Sequence, residues 1–153
     1  MNLDTARFAA VLLTGLYMVP ALAHAMELPH KIGMAGPDYL VVQQIYRGWS
    51  LSGVVAVAAL AATAALAAIV RRRRRAFRLA LASFLCLAGA LAVFFAFTYP
   101  VNQATANWTM LPDGWQALRA RWEYAHAGGA MLNLAAFAAA IGAAVASPAR
   151  LAA

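Results

Sequence analysis

The stretch GWSLSGVVAVAALAATAALAAIVRRRRRAF, Gly48 to Phe77, decides how this chain is read. It is apolar from Val54 to Val70 except for Thr63, and it closes on an unbroken arginine run, Arg71 to Arg75, with Arg78 just beyond. As a helix, an apolar run of this length crosses about 30 Å of hydrocarbon. Arginines directly behind such a helix anchor it on the cytoplasmic side, where basic residues accumulate. Taken alone, the same arginines resemble a nucleic-acid patch. Set between two apolar runs they read as a membrane anchor, and no nucleic-acid partner is expected.

Three more apolar runs flank this one: Phe8 to Met26, interrupted only by Pro20 and His24, then Ala76 to Tyr99 and Ala125 to Ala146. Of the 153 residues, 65% are apolar and 11% charged, far below the roughly 25% charged residues of a soluble domain. The expected fold is all-α, a four-transmembrane-helix bundle forming a single integral membrane domain over residues 1–153. Its spans should cover about 8–27, 46–70, 76–99 and 122–146, with outer loops at 28–37 and 100–112 and a cytoplasmic basic loop at 71–75. Both termini then fall in the cytoplasm, which suits Arg7 and Arg150, and Glu27, Asp38, Asp113 and Glu123 fall on the outer side. The Ala/Arg-rich composition points to a bacterial cytoplasmic membrane.

Residues 1–25 end in Ala23-His24-Ala25, which resembles a signal-peptide cleavage site. Asp4 offsets Arg7, however, and cleavage would leave three spans, so an uncleaved helix is expected. Cys86 is the lone cysteine, which excludes an intrachain disulfide and CxxC redox chemistry.

Gly36-Pro37-Asp38 and Leu111-Pro112-Asp113 both read as helix starts, with proline and an acid in the first turn. Each opens a helix longer than the bilayer needs, about 37–70 and 112–146, so the chain reads as two tandem helical hairpins, 1–70 and 76–146. Pro29 is expected to loosen or end the first helix.

The polar residues gather at the outer ends of these helices. Arg119-Ala120-Arg121-Trp122-Glu123-Tyr124-Ala125-His126 packs arginines, a carboxylate, an imidazole and aromatic rings at one membrane boundary. On a helix Arg119, Trp122 and His126 share a face, Glu123 lies beside them, and Asn133 continues that face about 10 Å deeper. Polar groups at that depth are costly unless satisfied and mark a site or a structural network. His24-x-x-Glu27 on the first helix mirrors Glu123-x-x-His126 on the fourth. Two such pairs, facing each other, would supply two imidazoles and two carboxylates to a mononuclear iron, zinc or copper ion. A dinuclear carboxylate centre needs glutamates that the middle helices lack. The simpler reading has Glu27 and Glu123 neutralising Arg47, Arg119 or Arg121. Without a metal, His126 could serve as general base, assisted by Glu123, His24 and Glu27, and arginine or asparagine could stabilise an oxyanion. Tyr46, Arg47, Asn107, Trp108, Trp115, Arg119 and Trp122 are candidates to line a slot for a flat lipophilic molecule, although aromatics also populate membrane interfaces on their own account.

Asn107-Trp108-Thr109, Pro112, Trp115, Leu118-Arg119, Arg121-Trp122-Glu123 and His126 together resemble the signature of a small four-helix membrane family. Glu27-Leu28-Pro29-His30-Lys31 and Gln43-Gln44-Ile45-Tyr46-Arg47-Gly48-Trp49 resemble its amino-terminal half, and the likeness covers about residues 20–140. That family is a domain of unknown function that includes the anthrone oxygenases of polyketide pathways. The resemblance implies an oxidoreductase acting on a lipophilic aromatic or quinol-like substrate at the outer membrane face. The alternative expectation is a non-catalytic membrane protein that binds a lipid, a quinone or a partner subunit, a second copy of the chain included. No particular cofactor is named by the sequence. Gly128-Gly129 lets another helix or a ligand approach the fourth helix closely.

Overall fold

The computed structural model describes residues 2–147. Helix α1 runs Leu3–Lys31, α2 Gly36–Gln43, α3 Ser52–Val70, α4 Arg74–Val93, α5 Tyr99–Ala104 and α6 Trp115–Val145. No strand occurs among the described residues. Four stretches are long and apolar enough to cross a membrane, Leu3–Lys31, Trp49–Val70, Arg74–Ala104 and Trp115–Val145. The fold is therefore the all-α, four-span bundle the hydropathy pattern calls for. Large apolar side chains cover its outside; Phe8, Val54, Val57 and Met131 are each about two-thirds exposed or more. In water that surface would be untenable, and in a bilayer lipid covers it.

Helix α1 packs against α3 and α6, and α4 packs against the same two, so α1 and α4 lie on one diagonal. The α1–α3 and α4–α6 pairs are the two tandem hairpins. The half of the bundle nearest the arginine loop is sealed by small residues: Ala6, Ala10, Ala62, Ala76, Ala80 and Ala143 close on Leu66 and Val70. Alanine lets helix backbones approach closely, which is what drives association where lipid is as apolar as the core. Ser83 Oγ donates to the Ala136 carbonyl across the α4–α6 seam at 2.8 Å. Ser83→Ala should cost about 0.6 kcal/mol, a typical interhelical bond in a membrane bundle, visible as a small fall in thermal midpoint in detergent.

Three boundaries differ from the sequence expectations, each for a physical reason. Pro29 does not end α1, which continues to Lys31, and Ile32 N still donates to Leu28 O at 3.0 Å. The extra turn is held from outside, because Lys31 is tied into the charged cluster described below. The expected continuous helix 37–70 is broken into α2 and α3 by two short 3-10 turns, Gln44–Tyr46 and Trp49–Leu51, with Gly48 between them at φ +89°. Only glycine takes that backbone region without steric cost. The third expected span continues past Val93 through a π-turn, Phe94–Thr98, into α5, and so occupies part of the expected 100–112 loop. Pro100 has no N–H to give the Ala96 carbonyl one turn back. Arg121 Nη2 donates to that carbonyl instead, at 2.7 Å.

Candidate functional site

At the end of the bundle away from the arginine loop, here called the distal end, charge is concentrated in the interior. Lys31, whose side chain is 4% exposed, points its Nζ at Glu27 Oε2 at 3.2 Å and Glu123 Oε1 at 3.4 Å. It also donates to the Tyr46 hydroxyl, which in turn donates to Glu27. Tyr39 donates to Glu123 Oε1 at 2.8 Å. Burial, and next to it the Glu123 carboxylate, push the Tyr39 hydroxyl well above the ordinary phenol range, so it remains a donor at any physiological pH. The ammonium also sits over the rings of Tyr46 and Trp122, 4.5 and 5.2 Å from their centroids. Glu27 and Glu123 are thus both paired with Lys31. This corrects the expectation that Arg47, Arg119 or Arg121 would neutralise them. Arg119 instead donates to the Met34 carbonyl at 2.7 Å and lies over Trp115, and Arg47 bonds the Gln44 side chain.

Below this cluster lies a cleft of about 880 Å³ between α1, the start of α3, the α4–α5 segment and α6. Two histidines stand against each other in its wall, His24 of α1 and His126 of α6, with ring centroids 4.3 Å apart. Around His24 stand Tyr46 at 4.3 Å, Trp49 at 5.4 Å and Trp122 at 5.0 Å, so the pair sits in an aromatic box. Trp122 is fixed from α5, where Asn102 Oδ1 accepts its indole N–H at 2.7 Å. His126 Nδ1 lies 2.9 Å from the Trp122 carbonyl. A carbonyl only accepts, so Nδ1 carries the proton in that bond and Nε2 keeps its lone pair. Asn133, two turns further along α6, also lines the cleft. His24 Nδ1, Trp108 Nε1 and Asn133 Oδ1 are buried with no hydrogen-bond partner. A buried polar atom left so costs about 1–3 kcal/mol, which a bound ligand or water would relieve.

Trp108 is delivered to this wall by an unusual turn. Ala106, Asn107 and Trp108 all have positive φ, at 47°, 56° and 59°. Asparagine tolerates that region; alanine and tryptophan occupy it at some cost, and such strain collects at functional sites. The turn is held by Asn107 N donating to Asn102 O at 2.7 Å and Trp108 N to Thr105 Oγ1 at 3.1 Å.

The sequence-derived site residues divide into two sets. His24, His126, Tyr46, Arg47, Asn107, Trp108 and Trp122 all line the cleft. Glu27, Glu123, Trp115 and Arg119 do not; they belong to the charged and aromatic packing on its distal side. The proposed four-ligand metal set of His24, Glu27, Glu123 and His126 is therefore not assembled. Its imidazoles face one another while its carboxylates are spent on Lys31, and no three His, Cys, Asp or Glu side chains gather as metal ligands among the described residues. Lys31, Tyr39 and Asn102 are not among the sequence-derived site residues. Lys31 had a signal: it stands at i+4 from Glu27, the favoured order for a helical ion pair. Tyr39 had none, since its partner is 84 residues away. No family model, curated protein or solved structure matches the chain.

Proposed function

We propose that this integral membrane protein binds a lipophilic aromatic or quinol-like compound in the distal cleft and oxidises it with dioxygen. The observation that carries the reading is His126. Its Nδ1–H is committed to the Trp122 carbonyl, and its Nε2 is left as the base of an aromatic-walled cleft. A phenol, quinol or anthrone placed against it gives up an O–H or C–H proton to Nε2. The electron-rich anion then reacts with dioxygen: an anthrone's ring methylene becomes a carbonyl with release of one water, and a quinol or other dihydroxyphenol becomes a quinone while dioxygen is reduced to hydrogen peroxide. The resemblance of the Asn107–His126 segment to the anthrone oxygenase-like family supports the same chemistry. The cluster around Lys31 has a structural part in this scheme, fixing Tyr46 and Trp122 as walls.

The test is dioxygen consumption by the protein in lipid nanodiscs, with anthrone and a lipophilic quinol as substrates. Gly129 lines the cleft and a β-carbon added there meets nothing within 4 Å, so the side chain of Gly129→Phe can start into the cleft and take up its space. Uptake by the wild type that Gly129→Phe abolishes supports the reading. Binding of either compound without uptake would sink the oxidase and leave a non-catalytic binding protein.

The proposed setting is a bacterial cytoplasmic membrane, with Arg71 to Arg75 and both termini inside and the cleft opening outward. A fluorescent reporter fused to the carboxyl terminus is expected to mature, and alkaline phosphatase at the same position to stay inactive. The reverse pattern would invert the topology.

A further inference from the structure

The cleft is closed on its inner side and open along one seam. Ala59 of α3, Leu87 of α4 and Ala136 of α6 pack as one buried cluster against Tyr17, which lines the cleft, so the bundle is closed on that side. Distal to Ala59 the α3–α4 seam no longer closes. Gly53 and Val57 of α3 line the cleft there, opposite Leu91, Phe94 and Phe95. Val57 is 65% exposed and Phe95 60%. A side chain that lines an interior cavity while more than half exposed stands at its mouth. Gly53 adds width, since a β-carbon there meets nothing within 4 Å. The π-turn Phe94–Thr98 shapes the facing edge, turning Thr98 inward and leaving Phe95 and Phe97 outside.

The depth of this mouth decides what can use it. Val57 stands thirteen residues from the arginine-side end of α3 at Val70, which is about 20 Å along the helix axis. The mouth therefore opens within the hydrocarbon of the distal leaflet and extends up to Trp49 at its boundary. Above it, the exposed Arg47 and Asn107 form a polar rim. A water-borne ligand needs only that rim. A slot continuing down to Val57 and Phe95, edged by apolar side chains, fits a ligand whose ring is inside and whose chain is in the lipid.

We infer that the ligand of this cleft is a membrane-dissolved amphiphile that enters sideways from the distal leaflet, between α3 and the π-turn of α4, and leaves an apolar tail between Val57 and Phe95. This rests on the reading of the cleft as a ligand site. The tail loses no favourable surroundings on binding, because it exchanges lipid contacts for lipid and aromatic contacts. The ring meets buried polar atoms that no protein group pairs, His24 Nδ1 and Asn133 Oδ1 among them.

The experiment uses the full chain in phosphatidylcholine nanodiscs. Its probes are a methoxylated benzoquinone without a tail and the same ring carrying a decyl tail. Association is followed by stopped-flow quenching of tryptophan fluorescence, since Trp49, Trp108 and Trp122 line the cleft. Gly53→Phe narrows the mouth, and Val57→Phe does so from a position that is already exposed on the outside of the bundle. In both variants association of the decyl probe should slow by an order of magnitude relative to the tail-free probe. Equal slowing of both probes, or no slowing of either, overturns the lateral route. Gly129→Phe separates the two levels of the argument. It should abolish quenching by both probes, and quenching that survives it means the cleft is not the ligand site at all.

Discussion

Replacing Lys31 with methionine should destabilise the protein more than any other single change at the distal end. Among the described residues the ammonium is the one cation between Glu27 and Glu123, at 3.2 and 3.4 Å, and Glu123 is fully buried. Removing one partner of a buried ion pair leaves a charge with no water to solvate it, at a cost of about 3–5 kcal/mol. Methionine keeps the length and apolar stem of the side chain, so the loss reports charge and hydrogen bonding more than packing. Tyr46 would also lose the donor to its hydroxyl, and the last turn of α1 beyond Pro29 would lose its tether. The double variant Lys31→Met with Glu123→Gln should recover part of the loss. Glutamine is neutral and its carbonyl oxygen still accepts from Tyr39. Coupling energies between contacting residues run to about 0.5–3 kcal/mol, and here the sign should show rescue. Reversible unfolding in mixed micelles measures Lys31→Met, Glu123→Gln and the double variant against the wild type. A Lys31→Met protein within about 1 kcal/mol of wild type would remove the cluster as a structural element, since that is the scale of an ordinary surface pair.

That cluster also shows where sequence reading ran out. The spans are legible because bilayer thickness converts directly into apolar length, and the arginine run separates the second from the third without ambiguity. The two histidines are legible as inward-facing, because each lies on the polar face of an otherwise apolar helix. What a linear pattern cannot carry is which groups pair at a distance. Tyr39 meets Glu123 only after α2 folds back over α6, and nothing near Tyr39 announces that. Local rules also lost to tertiary ones. Pro29 reads as a stop, yet the Lys31 contacts carry α1 past it. Gly48 reads as the neutral start of an apolar span, yet it takes positive φ and turns the chain between α2 and α3. The π-turn at Phe94–Thr98 has no sequence signature either. Its support comes from another helix, where Arg121 donates to the Ala96 carbonyl that Pro100 cannot serve. The metal expectation failed for a related reason. An i,i+3 spacing fixes the face a side chain shares, and says nothing about a lysine arriving between the two carboxylates first.

On the proposed oxidation, His126→Ala should have the largest effect, lowering dioxygen uptake by about 10²–10⁴-fold, the usual contribution of a positioned general base. The reasoning runs through its tautomer. Nδ1 lies 2.9 Å from the Trp122 carbonyl and donates to it, which sets the ring orientation and leaves the Nε2 lone pair uncommitted. Alanine removes the base and little else, because the carbonyl belongs to the helix and α6 favours alanine. Ligand binding, read by tryptophan quenching, should weaken far less than turnover, since Trp49, Trp108 and Trp122 remain as walls. A structural role for His126 would move binding and turnover together. The space vacated beside His24 admits a free imidazole, so adding imidazole to the His126→Ala protein should restore part of the uptake with saturating dependence. His126→Gln is the complementary variant. Its amide can still donate to the Trp122 carbonyl but offers no base, so it should bind ligand as the wild type does and turn over as slowly as the alanine variant. Wild-type uptake in either variant would remove His126 as the base. The cleft would then stand as a binding site alone.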